Sequence, residues 1–340
     1  MKIVIDVAAH EPALAMLMQR TDSRIECIAP PEEKARELDE AKIRDADVLF
    51  CTFPPTNHSV MRNLKWVQVA SVGYTQLHGL DLPARGVRAT NARGCFDVPI
   101  AEWNLAMMVN LARDCRQMIR NQDAAIWDRS AIFQNEIRGK TVGIWGYGGI
   151  GRETARLARQ FGLRVHVMTR SGVGPRRDVF TEPGTGDPEG VLPDRTFRAA
   201  EEIEFLRDLD FLVVAMPLGK ATEGLIGERE LQALPRRAFV LNPARGPIIR
   251  QEALLRALRE KWIAGAALDT HYHYPMPPDH PLWRFPNVIF TPHISGSSLS
   301  PKFKERLWEI FSLNTERLMR GESLLNELTT AQISGHWIGG

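Results

Sequence analysis

Short apolar runs alternate with segments of helical periodicity along most of the chain. In the first ninety residues the apolar runs cover residues 3–6, 25–28, 48–51 and 66–70, and helical patterns cover residues 13–19 and 31–40. Apolar runs of this length between turn residues are typical of buried strands. Strands that alternate with helices predict a parallel sheet with helices on both faces.

A longer helical pattern extends from residue 98 to residue 121. Asp97 is the expected N-cap and Pro99 suits the first helical turn. Apolar side chains such as Trp103, Leu105 and Met108 occur on nearly all sides of this pattern. A helix of that kind is buried, so we expect it between domains or between subunits.

The alternation begins again at Thr141. Further strands are predicted at residues 141–145, 165–169, 211–215, 238–242, 264–269 and 288–291, and a last helix at residues 301–319. Residues 172–195 are rich in Gly, Pro and Asp, and this composition predicts a long surface excursion. The strand–helix rhythm on both sides of the excursion predicts a second parallel sheet.

A glycine-rich turn follows the first strand of this second sheet. Residues 146–151 read GYGGIG, directly behind a strand pattern and directly before a helix-forming run at residues 152–159. Such glycines allow a tight turn, close approach of a pyrophosphate, and close packing of helix on strand. The helix that follows presents free N–H groups to the phosphates. The motif therefore predicts a dinucleotide site.

Together these elements predict an α/β fold with two Rossmann-like or flavodoxin-like domains, each with a parallel sheet. The two end segments are expected to pack together. The dinucleotide-binding domain, residues 99–296, would then be inserted into a substrate domain made of residues 1–98 plus 297–340.

Composition excludes several classes of protein. The formal charge of +2 over 340 residues is too small to indicate a nucleic-acid partner, and no apolar run is long enough to span a bilayer. The cysteines are scattered without C-x-x-C spacing, which argues against a metal cluster. The first residues run straight into a strand pattern without a signal-peptide pattern, so we expect a cytoplasmic protein without a membrane partner.

Three further motifs carry a resemblance. Residues 242–249 read NPARGPII, residues 265–269 read GAALD, and residues 291–296 read TPHISG. With the glycine turn, they make the chain resemble the D-isomer-specific 2-hydroxyacid dehydrogenases. Within that family, residues 169–171, which read TRS, resemble the pattern of the NADPH-dependent glyoxylate and hydroxypyruvate reductases. The resemblance implies a D-specific oxidoreductase that transfers hydride between a nicotinamide cofactor and a 2-oxo or 2-hydroxy acid. It also implies a homodimer.

The resemblance implies roles for individual residues. Arg245 would bind the substrate carboxylate with its two-pronged guanidinium and polarise the carbonyl group. His293 would be the general acid for reduction and the general base for oxidation, since an imidazole has an ordinary pKa of about 6.5. The backbone amides of Val72 and Gly73 would hold the carboxylate from the other side, although Thr75 stands where many members carry an acidic residue.

Tyr274 is a departure from the family pattern. Members usually carry a glutamate five residues after the aspartate that corresponds to Asp269, and it hydrogen-bonds to the catalytic histidine. Tyr274 occupies that place, and a neutral tyrosine orients an imidazole without raising its pKa by charge. We therefore expect a near-normal or lowered pKa for His293. The alternative is a shifted register, in which another acid such as Asp279 supplies the charge.

The cofactor preference is read from the end of the second strand of the dinucleotide unit. NAD-binding units usually place an acidic residue there, but this chain has Thr169, Arg170 and Ser171. Arg170 would face a 2′-phosphate, with help from Ser171 and from Arg176 or Arg177, so we expect NADP in preference to NAD. The alternative is an arginine that lies over the adenine, as NAD enzymes also have.

The remaining cofactor contacts follow from the resemblance. Asp269 is expected to accept a hydrogen bond from the nicotinamide carboxamide, although a plain strand-end aspartate remains open. The predicted cofactor site comprises Gly146, Gly148, Gly149, Ile150, Gly151, Thr169, Arg170, Ser171, Pro217, Ala244, Asp269, His293 and Gly296.

A histidine cluster and an apolar group complete the predicted cleft. His271, His273 and His280 lack a carboxylate or cysteine at zinc-site spacing, so no metal is expected. We expect these histidines to line the mouth of the cleft with Tyr272 and Tyr274. The side-chain pocket for the substrate is expected to be bordered by Phe53, Pro54, Pro55, Tyr74 and Trp103.

Three alternatives stay open from the sequence. Formate dehydrogenases share the fold but fit the histidine–tyrosine pair and the apparent NADP pocket less well. Phosphoglycerate dehydrogenases would need a regulatory domain, for which the chain leaves no room. A non-catalytic dinucleotide sensor, like the corepressors of this superfamily, fits the loss of the glutamate but needs neither Arg245 nor His293.

Overall fold

A computed structural model describes residues 1–32, 34–130, 134–170 and 172–334, and in these residues the chain forms two fully parallel β-sheets. The strands of the first sheet are β1 (Lys2–Asp6), β2 (Arg24–Cys27), β3 (Val48–Cys51), β4 (Trp66–Val69) and β5 (Arg88–Thr90). The strands of the second sheet are β6 (Thr141–Trp145), β7 (Arg164–Met168), β8 (Arg195–Phe197), β9 (Phe211–Val214), β10 (Phe239–Asn242), β11 (Gly265–Leu268) and β12 (Val288–Phe290).

The strand orders are β2-β1-β3-β4-β5 and β12-β11-β10-β9-β6-β7-β8. The first is the flavodoxin-like order and the second is the Rossmann order with one added strand, so the predicted fold class is confirmed. The described helices are α1 (Glu11–Arg20), α2 (Glu40–Ile43), α3 (Asp97–Ala112), α4 (Cys115–Asp123), α5 (Gly149–Gln160), α6 (Glu202–Leu206), α7 (Glu228–Ala233), α8 (Gln251–Arg259), α9 (Pro301–Met319) and α10 (Thr330–Ile333). In this part of the chain, no helix combines the length and apolarity needed to cross a membrane.

The last long helix packs on the first sheet. Alternate residues of β1 point to opposite faces, with Ile3 in one apolar cluster and Val4 in another. The Ile3 cluster is closed by α9, where the Phe311 ring stacks on Phe50 with ring centroids 4.3 Å apart. Both ends of the chain therefore contribute to one core, as predicted, while the boundaries at 98 and 296 stay a prediction.

Both faces of the second sheet are covered. Helix α3 packs against α5 on one face, where Leu105 and Met108 join Val142 and Ala155 in an apolar cluster. Helices α7 and α8 pack together over the other face, around Val240 and other buried residues. The strands are buried on both sides, which explains why they read as continuous apolar runs.

Most predicted strands lie within one residue of their observed bounds, but β5 and β8 were not predicted. The helix predicted at residues 31–40 is wrong, because the described residues in that range are not helical before Glu40. Their polar groups bond to distant partners instead. Arg36 donates to Asp6 over 2.9 Å, and the side-chain amide of Asn57 bonds to both the N–H and the carbonyl of Leu38.

The helix predicted from residue 98 to residue 121 is two helices. Asp114, between α3 and α4, has a φ of 44°, a left-handed conformation that ends the first helix. Its carboxylate then accepts a hydrogen bond from Gln117 N and caps the second helix. Asp97 is not the N-cap that the sequence predicts, because α3 begins at Asp97 itself and Phe96 precedes it.

Residues 172–195, which we call the strap, are mostly exposed or half-buried, as predicted from their composition, but Phe180 and Asp187 are buried. The Phe180 side chain is only 3% exposed and lies in the apolar cluster of the first sheet. Its N–H donates to the side chain of Asn326 over 3.1 Å, and Glu182 forms an ion pair with Arg306 of α9. One part of the strap is thus built into the first sheet's domain.

The rest of the strap is bound to the second sheet's side. The Tyr147 hydroxyl, from the glycine turn, donates to the Asp187 carboxylate over 2.7 Å. Arg152 of α5 donates to the backbone carbonyls of Asp187 and Gly174, and Glu153 accepts from Gly186 N. The strap therefore links the two α/β units through buried hydrogen bonds.

Phe180→Ala tests whether the strap belongs to the folded core. Removal of a buried phenylalanine ring leaves a cavity, and we expect the free energy of unfolding to fall by about 3–5 kcal/mol. Val191→Ala, in the same strap but 76% exposed, is the matched control and should change it by less than about 0.5 kcal/mol. Denaturant titration measures both, and equal stability of the two variants would contradict a core role for Phe180.

Candidate functional site

The loops that follow the parallel strands of the second sheet meet at one edge, because the carboxyl ends of parallel strands lie together. The glycine turn follows β6 at the switch point of the strand order, between β7 and β9. The other predicted site residues at this edge are Thr169 and Arg170 after β7, Pro217 after β9, Ala244 and Arg245 after β10, Asp269 and Tyr274 after β11, and His293 and Gly296 after β12. Ser171 lies outside the described residues.

The glycine turn has the shape that a phosphate cradle requires. Gly146 has a φ of 103°, and a side chain there would meet the backbone of Ala215 at 2.7 Å. A side chain at Gly151 would overlap the carbonyl of Gly146. Helix α5 begins at Gly149 and has no side-chain cap, so its first N–H groups are available to an anion. These observations fit a dinucleotide pyrophosphate.

A carboxylate lies beside the start of α5. A side chain at Gly149 would overlap the carboxylate of Asp97, which is 9% exposed. Burial raises the pKa of Asp97 to about 6, against the opposing charges of Arg176 and Arg93. The charged form of Asp97 is thus disfavoured by the fold even with two arginines nearby.

Arg245 is presented to solvent by a fixed turn. The buried side chain of Asn242 donates to the carbonyl of Arg245 over 3.0 Å and accepts from the N–H of Ala244 over 3.1 Å. A side chain at Gly246 would meet the backbone of His271 at 2.6 Å, so the turn after β10 also packs closely on the segment after β11. The guanidinium itself is exposed.

His293 lies in a loop with an unusual backbone. Its φ is 58°, in the left-handed region that non-glycine residues seldom adopt. The fully buried carboxylate of Asp269 accepts hydrogen bonds from Thr291 Oγ1 (2.6 Å), Ile294 N (2.9 Å), Ser295 N (3.1 Å) and Ser295 Oγ (2.5 Å). The residues on both sides of His293 are therefore tied to the end of β11. That Asp269 also contacts a nicotinamide stays a prediction.

The surroundings of the His293 ring shift its pKa in the expected direction. Burial and then the charge of Arg245 lower the pKa of His293 below its ordinary value, and Asp269 acts in the opposite direction. The side chain is open to solvent on one side, but protein atoms around it remove enough water to disfavour the imidazolium. Arg245 follows β10 and His293 follows β12, so the two residues predicted to be catalytic lie at the same edge of the second sheet.

Tyr274 contacts His293 ring against ring. The two ring centroids are 5.6 Å apart and the ring planes are tilted by 56°. The Tyr274 hydroxyl accepts a hydrogen bond from His271 N over 3.1 Å. Asp279, the alternative source of charge, acts on His280 and is not among the groups that shift the pKa of His293.

The histidine cluster does not line the cleft as a group. His271 and His280 are buried, and Tyr272 donates to the carbonyl of Ile249 over 2.9 Å. Only His273 and Tyr274 of the five predicted side chains are exposed. Among the residues that the structure describes, no group of three His, Cys, Asp or Glu side chains is arranged to hold a metal ion.

The loop after β4 presents two backbone amides. Its carbonyls are fixed, since Asn91 Nδ2 donates to Val72 O over 2.8 Å and Ser71 Oγ donates to Gly73 O over 2.7 Å. Within the described ranges, the N–H groups of Val72 and Gly73 donate to no protein acceptor. The loop is therefore rigid and still able to bind an anion.

The structure only partly assembles the residues predicted for the substrate side-chain pocket and the arginines predicted to assist Arg170. Trp103 packs with the core between α3 and the second sheet, and Tyr74 packs on the core of the first sheet, so neither simply borders a pocket. Arg177 forms an ion pair with Glu189 at 2.8 Å, and the charge of Arg176 acts on the buried carboxylate of Asp97.

Comparison with known proteins identifies the family of the chain. The chain matches the family model described as "D-isomer specific 2-hydroxyacid dehydrogenase, NAD binding domain" over residues 105–295. It is 31% identical over 333 residues to a glyoxylate reductase of Thermofilum pendens, covering 94% of this chain and 92% of that protein. The chain belongs to the D-isomer specific 2-hydroxyacid dehydrogenase family.

Two further members of the family illustrate the likeness. A glyoxylate reductase of Korarchaeum cryptofilum is 30% identical over 302 residues, covering 86% of this chain and 85% of that protein. A D-isomer specific 2-hydroxyacid dehydrogenase of Xanthobacter autotrophicus, solved in complex with NADPH and MES, has a TM-score of 0.74 and 26% identity, covering 98% of this chain and 99% of that one. The present protein is thus an NAD(P)-dependent oxidoreductase that transfers hydride between 2-hydroxy and 2-oxo acids.

Sequence reasoning missed the residues that hold the site in shape. Thr291 and Ser295 were part of the motif around His293, but their contacts with Asp269 were not predicted. His271 was placed at the cleft mouth, whereas its Nε2 bonds to Thr291 O over 2.7 Å. The only sequence signal for them is that two hydroxyl residues flank His293 within the same motif.

Asp97→Asn tests the burial of a charge beside the glycine turn. The folded-state pKa of about 6 exceeds the ordinary value of 3.8, so the folded chain binds more protons between these values and wild-type stability falls as the pH rises through that window. The amide of the variant does not titrate. We therefore expect the variant to gain on the order of 2 kcal/mol relative to wild type between pH 4 and pH 7.

Urea unfolding at several pH values measures this difference. Asp22→Asn, at an exposed position, is the control and should change stability by less than about 0.5 kcal/mol throughout. Parallel pH curves for wild type and Asp97→Asn would show that the Asp97 carboxylate carries no such cost.

Proposed function

We propose that this enzyme works as a D-specific 2-oxo acid reductase that uses NADPH in preference to NADH. The observation that carries the proposal is the pairing of Arg245 and His293 at one edge of the second sheet, where the charge of Arg245 acts on the imidazole. A fixed cation and a titratable ring next to each other suit a substrate with a carboxylate beside a carbonyl.

Arg245 is proposed to bind and orient the substrate. Its exposed guanidinium forms two parallel hydrogen bonds with a carboxylate and also draws electron density from the adjacent carbonyl oxygen. The N–H groups of Val72 and Gly73 are proposed to hold the same carboxylate from the first sheet. A substrate held by both units favours closure of the cleft, which excludes water from the reacting atoms.

His293 is proposed to hold and deliver the proton. In reduction its imidazolium donates a proton to the carbonyl oxygen, and in oxidation the neutral ring accepts one from the hydroxyl group. The bound nicotinamide cofactor supplies or accepts the hydride. Tyr274 is proposed to orient the imidazole by ring contact alone, so the proton equilibrium of His293 is set by burial, Arg245 and Asp269.

The cofactor is proposed to lie with its pyrophosphate at Gly146, Gly148, Gly149, Ile150 and Gly151. Pro217, Ala244 and Gly296 would border it along the carboxyl edge, and no metal takes part. Arg170 follows β7 where NAD-binding units usually place an acidic residue, and its cationic side chain supports NADP.

We further infer a cytoplasmic homodimer that associates through the dinucleotide units. The segment after α4 exposes Ile126 and Trp127, the latter to 87%, and α4 exposes Met118 and Ile119. An apolar patch of this kind marks an association surface. Light scattering in solution measures the oligomeric state, and a monomer would contradict the inference. All four cysteines are described and free, which supports a reducing compartment.

The pH dependence of reduction tests the role of His293. With NADPH and glyoxylate, hydroxypyruvate, pyruvate or a phenyl-substituted 2-oxo acid, kcat/KM should be constant at low pH. Because burial and Arg245 lower the pKa of His293, the fall should be tenfold per pH unit with a midpoint below about 6.5. His293→Gln should reduce turnover by about 10²–10⁴-fold.

Position 274 provides a matched pair of variants. Tyr274→Glu places a negative charge against the imidazole and should raise the midpoint by about one pH unit. Tyr274→Phe adds no charge and should leave it in place. A wild-type profile that stays flat up to pH 9 would exclude His293 as the proton donor, and failure of all substrates would exclude the proposed function.

The cofactor preference is tested at position 170. Arg170→Ala removes a charged donor for the 2′-phosphate, and we expect KM for NADPH to rise by about 10–100-fold while KM for NADH changes by less than about twofold. Arg259→Ala is the control, because this exposed arginine ends α8 at the amino edge of the second sheet, opposite to the predicted cofactor site. An equal loss with both cofactors would favour an arginine that lies over the adenine.

A further inference from the structure

The Asp269 carboxylate has no acceptor capacity left. Its two oxygens take four hydrogen bonds, two on each oxygen, all from residues 291–295. A carboxylate offers about four lone-pair sites in total. The side chain is fully buried, and an ionised carboxylate in such a place persists only when its hydrogen bonds are made.

The four donors surround His293 in the chain. Thr291 lies two residues before it, and Ile294 and Ser295 are the next two residues after it. His293 is thereby held at its left-handed φ of 58°, a conformation that needs support from the surrounding structure. The direction in which its imidazole leaves the backbone follows from this constraint.

A second contact from the same segment acts on the same loop. His271 Nε2 lies 2.7 Å from Thr291 O, so this nitrogen carries the proton and donates it to the carbonyl. The ring is fixed by Phe290, with centroids 4.0 Å apart and planes 13° from parallel. Thr291 is thus bound through both its hydroxyl and its carbonyl group.

We propose that Asp269 is the positioning residue of His293, and that its carboxylate does this by binding Thr291, Ile294 and Ser295. The proposal rests on the proposed function, since it concerns the residue assigned there to proton transfer. It differs from the expected contact with a nicotinamide carboxamide, which would have to displace one of the four donors. In this chain the residue that contacts the imidazole is a neutral tyrosine, Tyr274. The four hydrogen bonds to Asp269, which we call the clamp, hold the backbone around His293 and so take the place of a charged partner.

The test changes the hydrogen-bond donors and leaves Asp269 in place. A fall in activity then cannot be explained by removal of a carboxylate that binds the nicotinamide carboxamide. In the double variant Thr291→Val/Ser295→Ala, two of the four hydrogen bonds are lost and the carboxyl group of Asp269 itself is retained. A loosened loop misplaces the imidazole, so kcat should fall by about 10–100-fold. The cofactor Kd, measured by nicotinamide fluorescence, should change by less than about twofold.

A second readout needs neither substrate nor cofactor. The imidazole of His293, assigned by comparison with His293→Gln, is titrated by NMR. A loosened loop lets water reach the ring and relieves the burial that lowers the pKa of His293, so its midpoint should rise by about half a unit or more in the double variant. If no 2-oxo acid is reduced by the wild-type protein, the proposed function fails. The titration still shows whether the hydrogen bonds to Asp269 position His293.

Asp210→Asn is the matched control. Asp210 is also a buried carboxylate, accepts from Thr141 N over 2.9 Å and Arg237 Nε over 2.8 Å, and lies at the opposite edge of the same sheet. The Asp210→Asn variant should be less stable than wild type but keep the same kcat and the same titration midpoint of His293. The proposal is overturned if the double variant keeps both kcat and the midpoint while Asp269→Asn raises the cofactor Kd, since Asp269 would then serve the cofactor.

Discussion

The geometry of the active edge depends on one buried charge. Asp269 ends β11 with its carboxylate removed from water, and such a charge is tolerated only where every lone pair finds a donor. All four donors come from the loop after the neighbouring strand β12. The need to satisfy the carboxylate therefore dictates the path of the loop, and the path dictates where His293 stands. Parallel pairing of β11 and β12 brings the two segments together in the first place.

The strap adds a second constraint between the two units. Tyr147 occupies a variable position of the glycine turn, and its hydroxyl is used to bind Asp187 of the strap. At the other end Phe180 is buried against the first sheet. The phosphate cradle and the substrate unit are thus connected by a covalent segment that is anchored on both sides. Movement of the units relative to each other would have to be absorbed in the strap or where the chain crosses between them, before α3 and between β12 and α9.

Local patterns predicted the fold where local physics decides it. Apolar runs such as residues 48–51 and 211–215 became strands because burial on both faces demands them. The prediction failed where distant partners decide, as at residues 31–40, whose polar groups bond to Asp6 and Asn57. The burial of Phe180 was missed for the same reason, because nothing in a Gly- and Pro-rich segment indicates that one ring will pack into the core of the first sheet. The site residues were predicted from the family resemblance. Neither local patterns nor the resemblance predicted the four hydrogen bonds to Asp269.

The neutral side chain of Tyr274 affects two properties of His293: how strong an acid its imidazolium is, and what fraction of the ring is protonated. A carboxylate partner would hold the imidazolium in place and make it a weaker acid. Here burial and Arg245 lower the pKa of His293, so the protonated ring is a stronger acid but a smaller fraction of it exists at neutral pH. Because proton-transfer efficiency rises with acid strength only in part, the two effects offset each other best when the pKa lies near the working pH. In the proposed binding mode the substrate carboxylate lies beside Arg245, where it would screen that cation and bring the pKa of His293 back toward its ordinary value. The bound substrate would then supply the negative charge that the protein lacks at position 274.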